Sequence, residues 1–121
     1  NAKHTITDSE YSIMKILWNS EKKMTVSDVV KALDGNDWTP STVSTFLQRL
    51  LKKNVVSCEK KGNTNLYYPI LKQNDYDMSE TESFLSKIYK GSVKNLVAAL
   101  YENKKLSKED MSELKSMFDL E

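Results

Sequence analysis

The sequence predicts a mainly α-helical protein with one small β-hairpin, and three observations lead to this prediction. Along most of the chain, hydrophobic residues recur at the spacing of an amphipathic helix. Residues 55–70 are instead rich in β-branched and aromatic residues around a glycine-containing turn. Three segments open with a hydroxyl residue followed three positions later by an acidic residue, which is the signal for a helix start.

Composition limits the possible functions. Hydrophobic residues make up 39% and charged residues 29% of the 121 residues, as in an ordered globular protein. No apolar run could cross a membrane and no segment resembles a signal peptide, so the default expectation is a cytoplasmic location. The single cysteine, Cys58, allows no internal disulfide and is expected to be a small strand residue, although its role stays open. One histidine, His4, far from Cys58, argues against a metal site, and we predict no cofactor, no small-molecule ligand and no enzyme activity.

The net charge of +1 hides a local concentration of positive charge. Between Thr39 and Lys61 the sequence has five cationic residues and one acidic residue, Glu59. Local positive charge is what a phosphate-binding surface needs.

Two helices are predicted in the first part of the chain. Thr7 and Glu10 form a capping box that predicts a first helix from about Asp8 to Ser20, rich enough in apolar residues to be the centre of its domain. Thr25 and Asp28 predict a second, shorter helix that ends near residues 34–35. Residues 35–37 are predicted to form a turn.

The third helix, residues 39–53, has one apolar face and one polar face. Thr39 suits the N-cap and Pro40 the first helical position. The apolar face is predicted to consist of Val43, Phe46, Leu47, Leu50 and Leu51. The opposite face carries hydroxyl, amide and cationic side chains and no acidic residue. A short helix, a turn and such a helix predict a helix-turn-helix.

A hairpin follows directly. Residues 55–60 and 65–70 are predicted to be strands around a turn at residues 61–64. A hairpin placed behind a helix-turn-helix is the wing of a winged-helix domain, and this hairpin is called the wing below. These features predict binding to double-stranded DNA, with base-reading residues on the third helix and phosphate-binding residues at its end and at the wing tip. The predicted DNA-binding residues are Thr39, Ser41, Thr42, Ser44, Thr45, Gln48, Arg49, Lys52, Lys53, Lys60, Lys61 and Asn63.

The last third of the chain is predicted to contain three short amphipathic helices, over about 75–89, 92–102 and 107–118. Helices of this size bury little by themselves, so we expect them to pack against a second copy of the chain. A monomer in which they fold back on the winged helix is the alternative. The predicted domains are therefore a DNA-binding domain at 3–71 and a dimerisation subdomain at 72–121. The predicted dimerisation residues are Phe84, Leu85, Ile88, Tyr89, Leu96, Val97, Leu100, Tyr101, Leu114, Met117 and Phe118.

At this point the chain resembles a family, the penicillinase and methicillin-resistance repressors of the BlaI/MecI type. The segments that carry the resemblance are ITDSEYSIMKILW (6–18), WTPSTVSTFLQRLLKK (38–53), LYYPI (66–70), SFLSKIYKGSVKNLVAAL (83–100) and LSKEDMSELKSMF (106–118). Each segment is weak alone, but together they span nearly the whole chain in the family's order. The resemblance implies a homodimeric repressor that binds a pseudo-palindromic operator and blocks a promoter.

The same resemblance implies how repression ends. In the antibiotic-responsive branch of the family, a membrane sensor triggers cleavage of an Asn-Phe bond in the middle C-terminal helix. The matching position here is Ala99-Leu100, so this chain departs from the pattern and a sensor protease is an open expectation. The operator, the regulated genes and the inducing signal are not predicted. Whether binding represses or activates rests on the resemblance alone.

A protein-interaction module is the alternative function. The first turns of the third helix are uncharged, with Ser41 and Ser44, and would also suit a partner helix.

Overall fold

The computed structural model describes residues 5–33, 35 and 37–120. Its elements, in chain order, are helices α1 (Asp8–Asn19), α2 (Val26–Ala32) and α3 (Pro40–Lys52), strands β1 (Val56–Lys61) and β2 (Thr64–Pro69), helix α4 (Gln73–Lys87), a 3-10 turn (Tyr89–Gly91), and helices α5 (Val93–Glu102) and α6 (Lys108–Met117). The predicted mainly α-helical fold with one hairpin is confirmed.

The helix starts follow the predicted capping chemistry. The hydroxyls of Thr7, Thr25 and Ser107 each accept a hydrogen bond from a backbone N–H three residues later, and the acidic side chain at that position accepts one in return. Pairing the free donors in this way stabilises the first turn of a helix. Thr39 caps α3 in the same manner, although its partner position holds Thr42 instead of an acidic residue.

The wing is a two-stranded antiparallel sheet in which Lys61 lies opposite Thr64. Gly62 has a φ of +64°, which is the left-handed backbone that a two-residue hairpin turn requires at its first central position. Met24, in the loop before α2, pairs with Tyr67 through two backbone hydrogen bonds of 2.9 and 2.6 Å. This additional pairing, which has no signal in the sequence, ties the base of the wing to the helical part.

One hydrophobic core unites α1, α2, α3 and the wing. Its buried residues are Ile13, Met14, Leu17, Val29, Val43, Leu47, Leu50, Val55, Val56 and Tyr67. The predicted apolar face of α3 is confirmed, because Val43, Leu47 and Leu50 are fully buried and Phe46 and Leu51 pack against them. Trp18 packs against this core, and its indole N–H donates to the Leu71 carbonyl oxygen at 2.7 Å.

The chain forms two compact units, Asn1–Ser79 and Glu80–Glu121. The start of α4 belongs to the first unit because Tyr76 is buried beside Tyr11 and Trp18, and Tyr11 donates a hydrogen bond to Asp77 at 2.9 Å. The predicted division after residue 71 stays a prediction.

Several helix and strand ends differ from their predicted positions. Helix α2 ends at Ala32, and part of the turn predicted after it, Asn36, lies outside the described residues, as does Asp34. The strands begin and end within one residue of prediction. Helix α4 ends at Lys87, two residues before its predicted end, because Ile88 is extended and a separate 3-10 turn follows. Within the part of the chain that the structure describes, no helix is both long and apolar enough to cross a membrane.

Candidate nucleic-acid interface

The outer face of α3 is exposed along its whole length. Ser41, Thr45, Gln48, Arg49 and Lys52 are exposed, while Thr42 and Ser44 are partly covered at the borders of the face. The structure therefore brings the predicted base-reading and phosphate-binding residues of α3 onto one surface. Their contacts with DNA stay a prediction.

Local hydrogen bonds determine what the hydroxyls of this face can still do. The exposed Thr45 has a hydroxyl that donates to the Ser41 carbonyl oxygen at 3.0 Å, so its oxygen is left as an acceptor. The Thr39 oxygen accepts from the Thr42 N–H at 3.2 Å and lies 3.2 Å from the Thr42 hydroxyl. Thr39 therefore acts first as a helix cap, and the Thr45 hydroxyl can still accept a hydrogen bond from a ligand.

Arg49 lies over an aromatic pair. Its guanidinium carbon is 5.5 Å from the centre of the Phe46 ring, and that ring is 5.1 Å from the Trp38 ring. A cation above an aromatic face is attracted by the ring quadrupole, which restricts the directions the side chain takes. Arg49 is thus held at the side of α3 with its charge exposed.

The two lysines that end α3 differ in their partners. Lys52 is exposed and has no ion pair among the described residues. Lys53 instead forms an ion pair with Glu10, at 2.5 Å between Nζ and Oε1, and its side chain is only 32% exposed. Sequence reasoning grouped these lysines together as phosphate-binding residues. Pairing with a side chain of α1 reduces the free positive charge that Lys53 offers to DNA.

Glu10 is the buried member of that pair, with 1% of its surface exposed. Burial by itself raises the pKa of its carboxyl, but hydrogen bonds from the Lys53 ammonium and the Thr7 backbone N–H outweigh burial and leave the pKa below its ordinary value. Glu10 therefore stays ionised at neutral pH and holds the end of α3 to the start of α1.

The wing tip adds a second group of cations. Lys60, Lys61 and Asn63 are all exposed at or beside the hairpin turn. Glu59, the acidic residue of this region, accepts a hydrogen bond from the Lys23 ammonium at 2.9 Å, and this bond lowers the pKa of Glu59. Because Lys23 compensates the carboxylate, the positive charge of the wing tip is not cancelled locally.

The second unit has a different kind of surface. None of the eleven predicted dimerisation residues, all of them described, is buried, and Phe118 and Met117 are 63% and 71% exposed. Several large apolar side chains of this unit are therefore exposed to water, which is typical of a surface that a partner covers.

Three remaining expectations concern the cleavage position, a metal site and the single cysteine. Ala99-Leu100, the position matching the family's cleavage site, lies inside helix α5. In the described part of the chain, no three His, Cys, Asp or Glu side chains are grouped so that they could hold a metal ion. Cys58 lies in β1 and packs against the core.

The fold and this surface define a class of protein. A three-helix core, a basic wing and a capped third helix with an exposed polar face form a winged helix-turn-helix domain.

Comparison with known proteins gives the family. The sequence profile described as "Penicillinase repressor" matches residues 6–119. The penicillinase repressor of Bacillus licheniformis is 34% identical over 110 residues, which cover 90% of this chain and 85% of that protein. The methicillin resistance regulatory protein MecI of Staphylococcus aureus (strain N315) is 27% identical over 120 residues, covering 98% and 97% of the two chains. This chain belongs to the penicillinase repressor family.

A solved structure agrees. The monomeric form of Bacillus licheniformis BlaI, in complex with the blaP half-operator, superposes with a TM-score of 0.52 at 32% identity, covering 62% of this chain and 92% of that one. The resemblance proposed from the sequence segments is confirmed.

Proposed function

We propose that this chain is a sequence-specific repressor that binds operator DNA through α3 and the wing and performs no catalysis. The observation that carries the proposal is the joint exposure of one polar helix face and one basic wing tip. Arg49, Lys52, Lys60 and Lys61 supply the positive charge, and Glu59 and Glu10 are each paired with another lysine. Membership of a repressor family supports the same function. A protein that acts on operator DNA is expected in the cytoplasm.

Each part of the interface has its own role in this proposal. The cations neutralise phosphates and hold the protein on the duplex, which contributes affinity for every sequence. Thr42, Thr45 and Gln48 face the base edges. A hydroxyl oxygen can accept from the exocyclic amine of adenine, and a threonine methyl group can contact the thymine methyl. The glutamine amide matches the N6/N7 edge of adenine, so we expect half-sites rich in A·T pairs.

We further propose that the repressor is a homodimer joined by the second unit. The apolar surface left exposed there needs a partner, and a second copy covers it with the same residues under two-fold symmetry. Two α3 helices related by this symmetry would read two half-sites of a pseudo-palindromic operator. The relative solved with a half-operator is a monomeric form, which is consistent with one protomer reading one half-site.

Relief of repression by a sensor protease would require a change in α5. The Ala99-Leu100 bond lies in regular helix, and its backbone is engaged in helical hydrogen bonds. Proteases bind their substrates as extended chains, as in other forms of strand-like peptide recognition, so cleavage here would follow local unwinding of α5.

Binding at increasing salt tests the proposed function. The binding constant for duplex DNA can be measured by fluorescence anisotropy. We expect its logarithm to fall linearly with the logarithm of the salt concentration, with a slope of roughly −0.9 per phosphate contact. The slope should become shallower when Lys52 is replaced by Gln, while Thr45→Ala should mainly relax base preference. Binding that does not depend on salt, or failure to bind any duplex at low salt, would contradict the proposal and favour a protein-interaction module.

A further inference from the structure

Gln48 and Tyr67 connect the exposed face of α3 to the buried core. The Gln48 amide nitrogen donates to the Tyr67 hydroxyl oxygen at 3.4 Å, the long end of the hydrogen-bond range. Gln48 is exposed, whereas Tyr67 is 2% exposed. Gln48 is the one side-chain hydrogen-bond partner of the Tyr67 hydroxyl among the residues that the structure describes.

Tyr67 is held rigidly from both sides. Its backbone pairs with Cys58 of β1 on one side and with Met24 on the other. Its ring fills the core beside α3. A side chain fixed in this way keeps its hydroxyl at one place, directly beneath one residue of the outer face.

A long amide side chain on a helix surface otherwise samples many rotamers, and ordering it on binding costs conformational entropy. A hydrogen bond to a fixed hydroxyl reduces the number of rotamers before DNA arrives. The amide has two N–H donors and one carbonyl acceptor. One N–H is used by Tyr67, so the second N–H and the carbonyl oxygen remain, and these are the donor and the acceptor that the N7 and N6 positions of adenine require.

We propose that Tyr67 is a specificity-determining residue of this repressor that acts without touching DNA, by positioning the Gln48 amide for adenine. The inference rests on the proposed DNA-binding function. It places part of the base recognition in the wing, because Tyr67 belongs to β2 and the base-reading side chain belongs to α3. It also gives the extra pairing with Met24 a role, since that pairing fixes the strand carrying Tyr67.

The test uses the full chain with Tyr67→Phe, which removes only the hydroxyl. Duplexes selected by the unmodified chain are altered one base pair at a time, and the affinity of each variant chain for each duplex is measured. The position of interest is the one at which Gln48→Ala loses its preference between base pairs. At that position we expect Tyr67→Phe to lower the preference for A·T by about two- to tenfold, the effect of one hydrogen bond. Other positions and the salt slope should be unchanged.

Two controls separate positioning from packing. Tyr68→Phe, at the neighbouring tyrosine whose ring faces Lys23, should leave the preference unchanged. In a chain that already carries Gln48→Ala, adding Tyr67→Phe should have no further effect on base preference. An equal loss in both backgrounds would overturn the inference, since Tyr67 would then act through the fold.

A measurement without DNA completes the test. The chain has two glutamines, Gln48 and Gln73, so ¹⁵N labelling of glutamine gives two side-chain amide signals. We expect Tyr67→Phe to shift the Gln48 signals and leave those of Gln73 in place, and unshifted Gln48 signals would contradict the contact. No duplex binding by the unmodified chain would overturn both proposals, whereas normal binding with unchanged base preference in Tyr67→Phe would overturn this one alone.

Discussion

The two compact units are made of similar helices but differ in how completely they bury them. In the first unit, ten hydrophobic side chains form a closed core. In the second unit, no described residue of α5 or α6 is buried, although both helices are amphipathic and both are capped. Helix formation is therefore satisfied in both units, whereas burial is complete only in the first.

The difference shows what a single chain can and cannot do here. A helix gains most of its stability in a protein from packing of its apolar face, and only a small part from capping. The first unit obtains this packing from its own wing and helices. The second unit exposes Phe84, Met117 and Phe118, so in our account its stability depends on a second copy.

The largest effect is expected from opening the closed core. Leu47→Ala removes a fully buried side chain of α3, and we expect it to lower the free energy of unfolding by about 2–5 kcal/mol. Urea denaturation followed by tryptophan fluorescence measures this, because both tryptophans, Trp18 and Trp38, belong to the first unit. Ile70→Ala, at an exposed site of the same unit, should cost less than about 1 kcal/mol. Equal losses would mean that the core is not closed as described.

A charge on the exposed surface of the second unit should act on assembly. Met117→Asp places a carboxylate where the second copy is expected to pack, and we expect the dimer to dissociate about 30-fold more readily or worse. Sedimentation equilibrium measures the dissociation constant of the dimer. Ser116→Asp adds the same charge at the neighbouring, polar position of α6 and should have a much smaller effect. If both variants dissociate alike, the apolar surface is not the interface.

The ion pair between Glu10 and Lys53 should strengthen the first unit in a pH-dependent way. We expect Glu10→Gln to lower the free energy of unfolding at neutral pH by about 1–3 kcal/mol, because a charge-assisted hydrogen bond in a buried site is lost. The folded-state pKa of Glu10 lies below its ordinary value of 4.5. The contribution of Glu10 is therefore complete above that value and lost as the pH falls through the folded-state pKa.

Denaturation curves from neutral to acid pH test the ion pair. The unmodified chain should lose more stability on acidification than Glu10→Gln, while Glu21→Gln, at an exposed site, should behave like the unmodified chain. Identical acid losses in the unmodified chain and Glu10→Gln would show that the pair contributes nothing.

The smallest effects are expected in the salt dependence of DNA binding when single lysines are replaced. Lys52→Gln should make the salt slope shallower by about 0.9, the value for one phosphate contact. Lys53→Gln should change it less, because its ammonium already pairs with Glu10. Lys104→Gln, at an exposed site in the second unit, should leave the slope unchanged. If Lys104→Gln changed the salt slope most, the DNA-binding surface would lie in the second unit, against our proposal.

Local features of the fold were predictable from the sequence. Capping boxes at Thr7, Thr25 and Ser107 marked helix starts, since the residues that satisfy each other are three positions apart. The wing was predictable because its turn needs a residue such as Gly62. The polar face of α3 followed from helical periodicity alone.

Contacts between distant residues were not predictable in this way. The pair formed by Lys53 and Glu10 and the bond between Gln48 and Tyr67 join residues that only the fold brings together. The end of α4 was missed because Tyr89 and Lys90 adopt positive φ, which non-glycine residues rarely do. The positions of the predicted DNA-binding residues on α3 and the wing were thus predictable, but the partners that restrict them were not.

Selection of duplexes from a random pool by the full chain tests the central claim most directly, since it needs both units. If the first unit reads bases through α3 and the second unit pairs two copies, the selected sequences should be inverted repeats. Their half-sites should be rich in A·T pairs and spaced about one turn of DNA, or a multiple of it, apart. Enrichment of single, unpaired half-sites would contradict the proposed dimer, and no enrichment of any sequence would contradict base reading by α3.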